Sequence, residues 1–362
     1  MTSKTGDKIG QKLELGWENP IGVDGFDFVE IATTNPTEVF EVFRRFGFRL
    51  KAQHPTRKVY HMAQGEINII VNNEPQSYAY KYAEKHGHSI MAQGYRVKDA
   101  EKALVEAVKR GARPFCDMQI GDLHLPAIYG VGDGLIYFVD DNGRKRLYEE
   151  NYEMVPTFKD EKTAGLKFID HLDHNVQEGQ LKAYEDFYTK IFNFKEARYW
   201  EIEGEQTAIN SKAFISPCGK ILIPVIQSGG GNSYVKEYLE LYHGEGIQHV
   251  AFYAEDICSS IEYMREKGQN FMEVRESYYD DAKDRLPKNH KEYDRIKKNF
   301  ILIDGNGKEY MLQIFTTKDC MNPLFFEFIE RGGYQGFGER NFPALFDVLE
   351  QDQIKRGYLK SE

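Results

Sequence analysis

The sequence is poor in tryptophan, with two residues, and has only four cysteines in 362 positions. The cysteines (Cys116, Cys218, Cys258 and Cys320) are scattered and form no C-x-x-C pair, which excludes a disulfide frame and a thiolate metal site. No apolar run approaches the roughly 18 residues that a membrane span requires, so no membrane partner is expected. The opening segment MTSKTGDKIGQKLELGWENP lacks an apolar signal stretch, and the expected location is the cytoplasm. Lysine- and arginine-rich blocks are also missing, and the formal net charge is −10. Such a surface repels phosphate backbones and excludes nucleic acid as a partner.

Aromatic residues, by contrast, are plentiful: 24 Phe and 23 Tyr, within a hydrophobic fraction of 41%. That is ample for globular folding, and a chain of this length suits two domains. Short β-like runs alternate with amphipathic helical ones. FDFVEIA (26–32), INIIVN (67–72), LIYFVD (135–140), KILIPVI (220–226), FILID (300–304) and YMLQIF (310–315) read as strands. AEKALVEAVKRGA (100–112), YEDFYTKIF (184–192) and CSSIEYMREKG (258–268) read as helices. Strands outnumber helices and often follow one another directly, which predicts an α+β fold with mostly antiparallel pairing.

An internal repeat supports two related units. YRVKDAEKALVEAVKRGA (95–112) matches FYAEDICSSIEYMREKGQ (252–269) at an offset of 157, with Asp99 on Asp256 and Gly111 on Gly268. Aspartate at the start and glycine at the end are the caps that such a helix needs. At the same offset His249 falls on Ala92. Only the second copy carries a candidate ligand, which places the chemistry in the C-terminal half.

Three segments of that half carry it: IDHLDHN (169–175), GEGIQHVAF (244–252) and FFEFIER (325–331). Two imidazoles and a carboxylate from separate strands suit a facial triad, which leaves positions open on Fe(II), although the same donors also suit zinc. Strand alternation lets only one of His171 and His174 face a given side. Glu327 sits beside Phe325 and Phe326, where burial without a cation is costly.

These segments resemble the 4-hydroxyphenylpyruvate dioxygenase family, and the likeness covers nearly the whole chain. NPIGVDGFDFVEIA, QGEINIIVNNEP and LPAIYGVG resemble its N-terminal half; LKFIDHLDHNV, GEGIQHVAF, LQIF, FFEFIER and GFGERNFPALF resemble its active half in order. The resemblance implies two vicinal-oxygen-chelate domains, 22–150 and 165–345, each an open β-barrel of paired βαβββ modules, and a C-terminal lid helix over 341–357. It implies one Fe(II) per chain in the second domain, held by His171 (not His174), His249 and Glu327. The implied substrates are an aromatic 2-oxo acid and O2. The implied reaction, a step of tyrosine and phenylalanine catabolism, is conversion of 4-hydroxyphenylpyruvate to homogentisate and CO2 by oxidative decarboxylation, ring hydroxylation and migration of the side chain. Gln248, Gln313, Asn341 and Phe342 are implied as catalytic. The substrate wall adds Ser211, Phe315, Phe325, Phe337 and Phe346 to those four. Family members are usually homodimers or homotetramers.

By strict alternation Gln248 lies opposite His249, so the residues themselves leave open a supporting role behind the ligand. Two positions depart from the family pattern. Ile226 stands where an asparagine is usual and resembles the sister enzyme, 4-hydroxymandelate synthase; Tyr234 stands where a glutamine is usual and matches neither. Replacing an amide by an alkyl chain removes a hydrogen bond of about 0.5–1.5 kcal/mol. Phe342 and Pro224 resemble the dioxygenase. Benzylic hydroxylation to a mandelate, or another 2-oxo acid as substrate, is the alternative outcome.

Overall fold

One supersecondary plan accounts for most of the chain. The computed structural model describes residues 3–5, 16–119, 121–156, 162–203 and 206–360. Most of the opening segment and the middle of the polar joining stretch (157–161) therefore lie outside the described residues. After a short β1 (Ser3–Thr5), the first module runs β2 (Phe26–Ala32), α1 (Pro36–Arg45), β3 (Arg49–Gln53), β4 (Val59–Gln64) and β5 (Ile67–Asn72), followed by α2 (Tyr78–His86). The second runs β6 (Ser89–Arg96), α3 (Ala100–Lys109), β7 (Ala127–Tyr129), β8 (Leu135–Val139), α4 (Asp141–Lys145) and β9 (Glu153–Met154).

The C-terminal half repeats the plan with longer strands. Its first module is β10 (Leu166–Val176), α5 (Leu181–Phe192), β11 (Lys195–Glu203), β12 (Ala208–Ile215) and β13 (Leu222–Gly230), followed by α6 (Tyr234–Tyr242). Its second is β14 (Gly246–Ala254), α7 (Ile257–Glu266), α8 (Tyr278–Ala282), α9 (Tyr293–Lys298), β15 (Leu302–Gly305), β16 (Tyr310–Phe315) and β17 (Phe325–Gly332), followed by α10 (Phe342–Lys355). Strands and helices stand where the hydrophobic pattern predicts them. The largest boundary error is at β13, which begins two residues after the expected start and runs four beyond the expected end.

Within each module the first strand lies parallel to a later one, the last in every module but the second, where it is β8, and the two modules of a half join through antiparallel first strands. Thus β10 is parallel to β13 and antiparallel to β14, while β14 is parallel to β17. The N-terminal half matches it: β2 is parallel to β5 and antiparallel to β6, and β6 is parallel to β8. All the other ladders are antiparallel, as expected. A single pair, Ile247 with Ile90, ties β14 to β6 and makes the two halves one sheet. Among the described residues no ladder joins β11 to β15, so the sheet of the C-terminal half is not closed by hydrogen bonds.

The repeat read from the sequence is real in structure. Asp99 accepts from Lys102 N (3.0 Å) and Asp256 from Ser259 N (2.9 Å), each satisfying a free amide in the first turn of its helix. Central strands are covered on both faces: β2 is buried throughout, and β14 nearly so. Between the halves, Phe43 and Phe46 pack edge-on against Phe326 at 5.5 and 5.0 Å. Phe326 and Phe328 thus serve the contact between halves, while Phe325 and Glu327 point the other way.

Register also shows what the N-terminal half holds where the C-terminal half has its ligands. Phe28 pairs with Gly94 and Gly94 with Tyr137, as His171 pairs with Ala251 and Ala251 with Glu327. The corresponding triad is Phe28, Ala92 and Tyr137, and the Phe28 and Tyr137 rings stand 5.8 Å apart. Glu30 pairs with Ala92 as Asp173 pairs with His249, but no imidazole is there to meet it. It is buried, accepts from Asn72 Nδ2 at 2.8 Å, and its Oε2 has no partner. Burial pushes this carboxyl up to about 8.

The folded chain therefore keeps the Glu30 proton at pH values where the unfolded chain has released it. Stability should fall as pH rises from about 4.5 to about 8, by an amount on the order of a few kcal/mol, and level off above that. Glu30→Gln should flatten this slope and raise stability at pH 9, measured as urea midpoints at pH 6 and pH 9. Equal pH dependence in both proteins would assign the slope elsewhere.

Candidate metal centre

Two antiparallel strands, β10 and β14, and a third, β17, parallel to β14 set the site. His171 on β10, Ala251 on β14 and Glu327 on β17 form one row across the sheet, and His249 lies two residues from Ala251 on the same face. Ala251 contributes only a methyl to that row, which leaves its floor open. His171 Nε2 stands 3.0 Å from Glu327 Oε2; His249 Nε2 stands 3.4 Å from the same oxygen and 3.3 Å from His171 Nε2. The three ligand atoms all lie within 4.8 Å of one another and all three residues are buried; among the described residues no other cluster of metal-ligating side chains converges this way.

The far side of each imidazole faces a carboxylate. His171 Nδ1 is 2.9 Å from Asp170 Oδ1. His249 Nδ1 is 3.1 Å from Asp173 Oδ2, a close ionic contact whose angle falls short of a hydrogen bond. Arg331, four residues after Glu327, grips Asp170 with two hydrogen bonds of 2.8 Å, from Nε and from a terminal guanidinium nitrogen. Burial would raise the Asp170 carboxyl, but Arg331 overrides it and holds the group well below the usual carboxylate range. A carboxylate can only accept, so the His171 proton belongs on Nδ1 and Nε2 is left as an electron-pair donor.

The charges agree with the geometry. Burial works against a proton on His171, yet Glu327 and Asp170 outweigh it and raise the ring to about 9. His249 is likewise raised, with Asp173 overcoming burial, and Glu327 is lowered, with His171 overcoming burial. The pocket thus calls for positive charge between three inward donors. Two nitrogens and one carboxylate oxygen fit a divalent cation of the Fe(II) or zinc type.

His174 takes no part. It is fully buried on the opposite face, where its Nδ1 donates to Leu172 O (3.1 Å) and its Nε2 accepts from the Tyr188 hydroxyl (2.7 Å). Burial lowers it to about 4, the behaviour of a neutral core histidine.

A small cavity of about 70 Å³ opens on the three ligands. Ser211, Gln313, Phe315, Phe325, Phe337, Phe342 and Phe346 line it, together with Ile226 and Tyr234. Gln248 and Asn341 do not. Gln248 is buried, and its Oε1 has no hydrogen-bond partner. Asn341 is fully buried, its Oδ1 accepting from the Tyr278 hydroxyl (2.6 Å) and from Arg285 (3.2 Å). Asp170, Asp173, Arg331 and Trp200 were not singled out from the sequence, although an acidic residue directly before His171 was a readable signal. Gly338 is needed for two reasons: its φ is +85°, and a Cβ there would meet Gln313 Oε1 at 2.5 Å.

This fold and this site define a class, the Glyoxalase/Bleomycin resistance protein/Dioxygenase superfamily, whose profile matches residues 168–293. The profile of the hydroxyphenylpyruvate dioxygenase N-terminal region matches residues 17–153. The chain belongs to the 4-hydroxyphenylpyruvate dioxygenase family. It is 38% identical to the enzyme of that name from Pseudomonas aeruginosa, covering 94% of this chain and 97% of that one. It is 40% identical to the one from Legionella pneumophila, covering 94% and 98%. A hemolysin of Vibrio vulnificus is 39% identical over 95% and 98%. Among solved structures, a substituted 4-hydroxymandelate synthase from Streptomyces coelicolor shares the fold, with a TM-score of 0.77 at 22% identity over 91% and 99%. No helix among the described residues is long and apolar enough to cross a membrane.

The ligand geometry separates the two histidines of β10. Alanine at His171, His249 or Glu327 should each reduce bound iron, measured by metal analysis after anaerobic reconstitution, to background. His174→Ala should keep its iron and lose about 2–4 kcal/mol of stability through its cavity and the stranded Tyr188 hydroxyl. Iron lost from His174→Ala but retained by His171→Ala would reverse the assignment.

Proposed function

We propose that this chain converts 4-hydroxyphenylpyruvate and O2 to homogentisate and CO2, using one Fe(II) held by His171, His249 and Glu327. The observation that carries this reading is the buried two-histidine, one-carboxylate cluster opening on a ring-lined cavity, in a chain about 40% identical to named dioxygenases over nearly its full length. In this reading residues 165–345 form an open barrel around the metal, and 22–150 form its metal-free counterpart. The protein is a cytoplasmic homodimer or homotetramer serving tyrosine and phenylalanine catabolism.

When bound there, Fe(II) supplies Lewis-acid chelation of the 2-oxo acid and the electrons that activate O2. The chain supplies everything else. Asp170 and Asp173 fix the two imidazoles so that Nε2 faces inward. Phe325, stacked on His249 at 4.7 Å, and Phe315 keep water from the ligands. Gln313 is buried and its Oε1 has no partner, which suits it to accept a hydrogen bond from the substrate or a water beside it. Asn341 positions Phe342 at the start of α10, and Gln248 supports β14 from behind His249.

A ligand site normally measures about 300–1,000 Å³, so a cavity of about 70 Å³ is too small for an arylpyruvate as it stands. Phe342, Leu345, Phe346 and Leu349 of α10 line it, and we read 341–357 as a lid that must shift to admit an arylpyruvate. Truncation before Phe342 should leave the fold and iron content largely intact and cut turnover by about 100-fold or more, as loss of positioning does. Near-normal turnover in the folded truncation would reduce α10 to packing.

A second reading, benzylic hydroxylation to 4-hydroxymandelate, is favoured by Ile226, an apolar residue on the cavity wall. We rank it lower because Phe342 keeps a bulky ring against Trp200, at 5.9 Å, where it can hold the substrate ring toward the metal. Oxygen uptake with product identification decides: homogentisate should dominate. Phe342→Ile should shift product toward 4-hydroxymandelate, and Ile226→Asn should lower KM. Mandelate from the unaltered protein would invert this ranking, and no uptake with a reconstituted iron site would point to another 2-oxo acid.

A further inference from the structure

A second cavity, of about 930 Å³, lies in the cleft between the two halves. It meets the small pocket over the candidate ligands at one side chain, Phe337, which lines both. Its wall carries the guanidiniums of Arg96 from the N-terminal half and Arg198 from the C-terminal half. The other cations of the cleft are already matched: Lys220 Nζ is 2.5 Å from Asp24, and Arg331 is committed to Asp170. Arg96 and Arg198 are not. Their nearest carboxylates stand off, Glu66 at 3.9 Å and Glu339 at 3.7 Å, and the Nε of each is buried with no hydrogen-bond partner. Arg198 donates only to its neighbour, Ala197 O, at 3.0 Å.

The same cleft exposes a ring. Phe168 is 41% exposed, unusual for a phenylalanine, and lies flat on Tyr253 with centroids 4.5 Å apart and planes within 7°. The cleft therefore offers an aromatic platform together with guanidiniums that lack a close carboxylate, in a protein whose net charge of −10 otherwise disfavours anions. The geometry points to a second binding site in this cleft, for an aromatic carboxylate, with the ring on Phe168 and the carboxylate between Arg96 and Arg198. Only the naming of that ligand rests on the proposed function: an arylpyruvate waiting to pass Phe337, or the arylacetate leaving by it. A site of this kind raises the local concentration of its anion beside the small pocket.

The probe is 4-hydroxyphenylacetate, which has the ring and the carboxylate but no 2-oxo group to chelate a metal. Binding to the full-length chain is measured calorimetrically with and without Fe(II), and acetate serves as the comparison. The aryl compound should bind equally in both metal states and about 10-fold or more tighter than acetate, because the ring platform contributes. Arg96→Gln and Phe168→Ala should each weaken it by about 10-fold, the loss expected of one charge-assisted or stacking contact. Phe168 is at the surface, so that variant tests the site even if Arg96→Gln unfolds. Absence of binding, binding that requires the metal, equal binding of acetate, or indifference to Phe168→Ala would each overturn the proposal. None of these readings needs turnover, so a chain that binds the probe as expected but oxidises no arylpyruvate would overturn the proposed function alone.

Discussion

Glu327, a carboxylate buried to 4% exposure beside Phe325, constrains everything around it. An ionised group in such a place costs several kcal/mol unless positive charge faces it. Here the compensation comes from two imidazoles on neighbouring strands, and their orientation requires carboxylates of their own. Asp170 in turn requires Arg331, on the same strand as Glu327. Arg331 also donates to the carbonyls of Gly336 (2.6 Å) and Tyr334 (3.3 Å), so the clamp that orients His171 also fixes the loop bearing Phe337. Ligand, support and cavity wall thus depend on one chain of charge compensation that begins at Glu327.

The three candidate ligands and most strands were legible in the sequence, because apolar periodicity and a repeat survive translation into structure. The choice between His171 and His174 was not legible from the residues alone. Alternation says that they face opposite sides, but β10 is buried on both sides over that stretch, so burial cannot say which side is the site. Register supplies what pattern could not: His171 is level with Ala251 and Glu327, whereas His174 meets Tyr188 and Gln93. Asp170 and Asp173 were passed over for the opposite reason. An acid in a strand looks like a solvent-facing residue until its arginine or histidine partner, distant in sequence, is brought to it.

The N-terminal half shows what the architecture does without a metal. Its Phe28 and Tyr137 fill with rings the space where His171 and Glu327 converge, and Gly94 is held without a Cβ because one would strike Phe28 at 2.6 Å. Asp27, the counterpart of Asp170, still pairs with an arginine, Arg144, and accepts from the Tyr148 hydroxyl at 2.5 Å. The supporting charges have outlasted, or never depended on, the ligands they would support. Glu30 is the residue for which no imidazole remains, and burial raises its carboxyl instead.

Helix α10 is governed by the same rule of buried charge. Glu237 on α6 is 2% exposed and receives Lys318 Nζ (2.7 Å), Gln353 Nε2 (3.0 Å) and Arg356. Burial would raise this carboxyl, and Arg356 with Lys318 overrides it, so it stays ionised and holds the C-terminal end of α10. Asn341, fixed by Tyr278 and Arg285, holds the other end. Between those anchors the helix can present only one face inward, and Phe342 and Phe346, four residues apart, lie on it. Two polar anchors, neither in contact with the metal ligands, therefore set which rings close the cavity. That is why the apolar spacing of 342–349 could be read as a helix from the sequence, while its register over the site could not.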